Sequence, residues 1–139
     1  MPAPESKPYI VFRLRKHADY QRVYKASRKQ FSKQMAFFFA FRSPETAIRA
    51  MDASVPRVGL TVGKVMGKAV DRNRIKRRMR EAVRHNLPSL TLPVDVILHP
   101  RRSVIDLDFA ALEREVAHVF RQVQNQAQKL TAQQTPPTE

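Results

Sequence analysis

The chain has 139 residues, 42% of them hydrophobic, enough for one core and too few for a second domain at roughly 100 to 150 residues each. Its 26 Lys and Arg against 12 Asp and Glu give a formal charge of +14, a self-repulsion that a polyanionic partner, nucleic acid or an anionic membrane, relieves. The absence of cysteine excludes disulfide frameworks and thiolate zinc sites, and no apolar run reaches the roughly 18 residues of a membrane span.

In chain order, Met1 to Pro8 is proline-rich and lacks the apolar segment of a signal peptide. Residues 1–9 are therefore expected to form a disordered extension, and the protein to be cytoplasmic. Tyr20, Val23 and Tyr24 share one face of a short first helix over Lys16 to Ala26. Arg28 to Ser32 reads as a brief strand. Met35 to Phe41 alternates, with Met35, Phe37, Phe39 and Phe41 on one face and Ala36, Phe38 and Ala40 on the other. Ser43 to Pro56 reads as a loop leading to a strand over Val58 to Val62, which would pair with the preceding one as a hairpin-like antiparallel unit.

From Ala69 to Leu87 the residues Ile75, Met79, Ala82, Val83 and Leu87 make a helical stripe that Pro88 ends. Val94 to Leu98 is a compact strand. Asp108 can cap a last helix bearing Phe109, Leu112, Val116, Val119, Phe120 and Val123. The polar end of the chain, with Pro136 and Pro137, suggests a disordered tail over 127–139, leaving one domain over 10–126. The expected order is α-β-β-β-α-β-α, an α+β fold.

The chemistry concentrates in the segment Asp71 to Arg84 of the long central helix. At 100° per residue, Asn73, Arg77, Arg80 and Arg84 cluster in one sector opposite Ile75, Met79 and Ala82, so one face packs and the other is a cationic rail. Binding of such a rail to phosphates weakens steeply with salt, because each contact releases counterions. Arg72 and Arg74 crowd the positive end of the helix dipole, an arrangement that costs stability and suits an anion. A face that merely solvates a helix mixes signs, whereas here only Asp71 and Glu81 oppose seven cations. His17, His85, His99 and His118 are dispersed and form no acid-base set with a carboxylate, so no catalytic side chain and no protein metal site is expected.

The segment Gly67-Lys68-Ala69-Val70-Asp71-Arg72-Asn73-Arg74-Ile75-Lys76-Arg77-Arg78-Met79-Arg80-Glu81 resembles the arginine-asparagine-arginine signature of the bacterial ribonuclease P protein subunit. Leu14 to Tyr24, Arg57 to Val62 and the final helix extend the likeness over about Arg13 to Val123. The resemblance implies a mixed four-stranded sheet with three helices, ribosomal-protein-S5-domain-2-like, and a left-handed β-α-β crossover at the signature helix, against the usual right-handed preference. It also implies a protein, monomeric on its own, that partners a catalytic RNA whose Mg2+ ions cleave the 5′ leader from precursor tRNA. Arg72, Asn73, Arg74, Lys76, Arg77 and Arg80 would face that RNA, together with Arg84 of the rail. Tyr20, Tyr24 and Phe38 would line a cleft for the single-stranded leader, with Lys16 and Lys64 supplying charge.

Phe38 fits that cleft on independent grounds, because its strand face is otherwise Ala36 and Ala40, a shallow floor around one ring. Stacking on such a ring tolerates any base and contributes about 1 to 3 kcal/mol. The first-helix aromatics are tyrosines where the family often has phenylalanine, which adds hydroxyls and keeps the π faces. Composition alone equally admits a ribosomal or other structural RNA-binding protein. A membrane-surface role is disfavoured, since the apolar stripes lack the Trp and Phe anchors of interfacial helices.

Overall fold

The computed structural model describes residues 13–14, 16–41 and 56–134, with the side chains of 131–134 left aside. The expected disordered extension over 1–9 and all of the 43–56 loop except Pro56 lie outside those residues. Within them the elements are α1 (His17–Ala26), β1 (Gln30–Phe31), β2 (Met35–Phe41), β3 (Arg57–Leu60), α2 (Ala69–Asn86), β4 (Val94–Pro100) and α3 (Phe109–Gln134). Single 3-10 turns at Lys64–Met66, Leu87–Ser89 and Arg102–Ile105 connect them. This is the expected α+β order.

The four strands lie in the order β1-β2-β4-β3. β1 and β4 flank β2 antiparallel, and β3 runs parallel to β4, so β3, α2 and β4 form a β-α-β unit. The expected hairpin of β2 with β3 is thus not formed: β4, far downstream, inserts between them. The reason is burial. Val94, Val96, Ile97 and Leu98 are fully buried, apolar on both faces as a central strand requires, whereas β3 is only half-buried at its ends and serves as an edge. The β3 ladder continues by one bond, Thr61 N–H donating to Leu98 O at 3.0 Å.

Strand periodicity divides the interior in two. Met35, Phe37, Phe39, Val58, Val94, Val96 and Leu98 join Ile75, Met79, Ala82 and Val83 of α2 and Leu112, Val116, Val119, Phe120 and Val123 of α3 in the main core. The other sheet face carries a smaller cluster, Leu14, Val23, Ala40 and Ile97, with Tyr20, Tyr24 and Phe38 packed on it. Full burial of each large apolar side chain contributes about 1.5–3 kcal/mol, so the main core carries most of the stability. The smaller layer positions α1.

α3 overruns the expected boundary at residue 126. It continues to Gln134, and Ala127 is fully buried against the main core, one further repeat of the stripe Val116, Val119, Phe120, Val123. The Gln, Ala, Lys and Leu of this stretch are good helix formers, so polarity there signals an exposed helix face. Gln126 also exchanges side-chain hydrogen bonds of 2.7 and 3.0 Å with Gln30 of β1, tying the helix to the sheet edge.

Candidate RNA-binding surfaces

The cleft is built by α1 lying across one sheet face. Register places Ala36 opposite His99 and Phe38 opposite Ile97, and alternation points all four toward α1. On α1, Tyr20 and Tyr24 are one helical turn apart with ring centroids separated by 6.4 Å. Tyr24 meets Phe38 edge-on at 4.8 Å, and His99 lies 5.9 Å from Tyr24 and 5.3 Å from Phe38. The structure therefore brings Tyr20, Tyr24 and Phe38 together, each only partly buried, and adds His99 to the floor.

Hydroxyls fix the two tyrosines. Tyr20 Oη lies 3.3 Å from Leu60 O and 3.4 Å from Leu14 O, and its single proton can serve one carbonyl at a time. Burial and the neighbouring Tyr24 raise the Tyr20 pKa. Gly59 makes this seat possible, because a Cβ there would stand 2.3 Å from Tyr20 Oη. Tyr24 Oη shares a 2.9 Å hydrogen bond with His99 Nε2 and sits 3.5 Å from Thr61 Oγ1. Burial, and after it the charge of Lys29, lowers the His99 pKa, which keeps the imidazole neutral and able to accept from the phenol.

A polar latch anchors α1. Asp95 of β4 is fully buried and accepts from Arg57 Nε at 2.9 Å and Nη2 at 2.8 Å, and also from Arg22 Nη2 on α1. Asp19 adds contacts of 3.7 Å to Arg22 and 3.5 Å to Arg57. An aspartate near the start of an otherwise apolar run, between Val94 and Val96, was the available sequence signal for this cluster, and helix-face reasoning passed over it.

The rail residues of α2 separate into sides. Asn73, Arg74, Arg77 and Arg84 are exposed, while Arg72, Lys76 and Arg80 are half-buried. Lys76 and Arg80, one turn apart, line a groove of about 470 Å3 with Arg13, Leu14, Tyr20, Val58 and Leu60. Tyr20 thus borders both the cleft and the cationic groove. Arg84 is paired with Glu81, whose carboxylate is held below its usual pKa chiefly by that hydrogen bond. Arg78 turns inward, donating to Leu107 O and covering the Phe109 ring at 5.9 Å, so it belongs to the helix contact and not to the rail.

The helix start is open. Lys68 occupies the N-cap with no side-chain cap bond, and Arg72 Nε donates to Gly67 O at 3.2 Å. Gly67 has φ 127°, a region L side chains rarely adopt, and a Cβ there would crowd Asp71 and Arg102. Lys16 and Lys64 are exposed, the first at the N-cap of α1 and the second on the turn after β3, and no ion pair or ring contact ties either down among the described residues. Among the described residues no cluster of three or more His, Asp or Glu comes together as a metal cage, and no helix is long and apolar enough to cross a membrane.

An open mixed sheet, a basic helix in its β-α-β unit and an aromatic cleft on the opposite sheet face make an α+β protein with two surfaces suited to RNA. The ribonuclease P family model matches residues 11–124. The ribonuclease P protein component of Finegoldia magna is 32% identical over 113 residues, 81% of this chain and 91% of that protein. That of Chloroflexus aggregans is 36% identical over 126 residues, 90% and 84% of the two chains. The structure of a Staphylococcus aureus RNase P protein mutant with defective mRNA degradation activity superposes with TM-score 0.69 at 25% identity, covering 88% of this chain and 98% of that one. The chain belongs to the ribonuclease P protein family, the protein components of the ribonuclease P endoribonuclease.

Proposed function

We propose that this protein holds two RNAs at once: the catalytic RNA on the exposed side of α2, and the 5′ leader of precursor tRNA in the cleft between α1 and the sheet. Arg72, Asn73, Arg74, Lys76, Arg77, Arg80 and Arg84 serve the first surface. Tyr20, Tyr24 and Phe38 serve the second, with Lys16 and Lys64 at its approaches. The observation that carries this reading is the groove in which Tyr20 meets Lys76 and Arg80, which joins the aromatic cleft to the cationic helix. A leader leaving the cleft there would bring its first phosphates to the catalytic RNA.

Bond cleavage belongs in this reading to the catalytic RNA and its Mg2+, as the resemblance to the ribonuclease P protein subunit implies. The protein acts as a cytoplasmic monomer that screens repulsion between two polyanions, through its excess of cations.

The test separates the surfaces. Arg77→Ala with Arg80→Ala should weaken binding of the copurifying catalytic RNA and flatten its salt dependence by about one unit of slope per lost phosphate contact. Phe38→Ala should weaken precursor tRNA by ~1 to 3 kcal/mol and leave mature tRNA almost untouched. Unchanged salt slope, or equal losses for the two tRNAs, overturns the respective assignment.

A further inference from the structure

The cleft's sheet face continues beyond α1 to the edge strand β1. Phe31 is paired with Ala36, and Ala36 with His99, so these side chains form one row on the face that bears Phe38. At a strand spacing of about 4.8 Å, Phe31 stands about 10 Å across the sheet from His99. Between them stands Ala36, which contributes only a methyl to the row and is itself buried. Phe31 is 65% exposed, with Lys29 Nζ 5.6 Å from its ring centroid.

A single exposed phenylalanine is ordinary. This one is set apart by continuity with the cleft and by charge. Arg28, Lys29 and Lys33 flank it along the chain, all exposed, and none is ion-paired among the described residues. The charge of Lys29 also helps to lower the His99 pKa, after burial, so this one cation reaches the cleft floor. The rings therefore cross the whole sheet, Tyr20 over β3, Tyr24 and Phe38 at its centre, and Phe31 at the far edge.

We propose that Phe31 and Lys29 form an outlying subsite for a nucleotide of the single-stranded leader, distal to those held by Tyr24 and Phe38. The base stacks on the exposed Phe31 ring, and Lys29 with Arg28 or Lys33 receives the adjoining phosphate. The proposal rests on the leader lying in the cleft, and it makes affinity depend on leader length: a leader must pass Phe38 before Phe31 can contribute.

The experiment measures binding to the holoenzyme, reconstituted with the RNA that copurifies with the protein, of precursor tRNAs whose leaders are lengthened one nucleotide at a time. The loss caused by Phe31→Ala should switch on with length and reach about fivefold or more for long leaders, whereas Phe31→Tyr should retain the long-leader gain. Lys29→Ala should reduce the salt dependence of long-leader binding only. Phe38→Ala is the companion: it should weaken every leader that enters the cleft, and its failure to do so would sink the cleft reading itself. Were Phe38→Ala to act while Phe31→Ala had no effect, the distal subsite alone would fall. A Phe31→Ala loss equal at all lengths, mature tRNA included, would assign Phe31 to the catalytic RNA and overturn the proposal.

Discussion

The Asp95 carboxylate on central strand β4 receives two parallel hydrogen bonds from the Arg57 guanidinium on the neighbouring strand β3, at 2.9 and 2.8 Å, in a site where Asp95 has no solvent exposure. Arg22 reaches the same carboxylate from α1, so one buried charge connects two strands and the helix that carries the cleft tyrosines.

Asp95→Asn should accordingly lower stability by about 3 kcal/mol, because it leaves two guanidinium groups against a neutral amide. Urea unfolding with an unchanged m-value and a lowered midpoint is the expected result. Precursor binding by the folded fraction should fall as well, since α1 loses its anchor. A variant as stable as the parent would show the latch to be dispensable.

Gly59→Ala tests the seat of Tyr20. The new methyl would lie 2.3 Å from Tyr20 Oη and 3.2 Å from Leu14 Cβ. The ring must swing away, at a cost of about 1–3 kcal/mol. In a Tyr20→Ala background most of that cost should vanish, which a double-mutant cycle on melting curves measures directly. Additive losses would place the strain elsewhere.

For His99 the sign of the pH effect follows from its environment. Burial and the Lys29 charge lower its pKa in the folded protein below the ordinary 6.5. The unfolded chain therefore takes up a proton that the folded one resists, and this group's contribution to stability is complete above 6.5 and lost as pH falls through the window below it. His99→Asn should flatten the fall of stability between about pH 7 and pH 5 relative to the parent. Identical pH slopes for the two proteins would show that His99 is not the titrating group.

At the C-terminal end of the fold, Ala127→Gln should destabilise by about 2 kcal/mol, because a polar side chain would replace a methyl packed in the main core. Gln128, its exposed neighbour, provides the contrast: Gln128→Ala should lie within about 0.5 kcal/mol of the parent. Equal effects at both positions in thermal melts would remove α3 beyond residue 126 from the core.

The periodic parts of the molecule were legible in the sequence. The two-residue alternation of Met35 to Phe41 assigned each side chain to the correct sheet face, and the stripe from Ile75 to Leu87 separated the packed side of α2 from its cations. Pairing was not legible, because alternation says which face a residue takes and nothing about which strand lies beside it. Hence the β2–β3 hairpin was expected where β4 intervenes. His99 and Arg22 escaped for a related reason, since their partners Tyr24 and Asp95 lie more than seventy positions away along the chain. Ala127 was hidden by its polar neighbours, one small residue at the end of a stripe.

The insertion of β4 between β2 and β3 also sets a timetable for synthesis on the ribosome. Met35–Phe41 emerges early, with three phenylalanines in a row, yet its long partner ends only at Pro100. At roughly 5–20 residues per second, that edge waits several seconds before it can close. The nascent chain must carry an unpaired, aromatic β-segment through this interval, shielded at most by the two-residue β1, which makes Met35–Phe41 the stretch where a chaperone or a premature intermolecular pairing would first take hold.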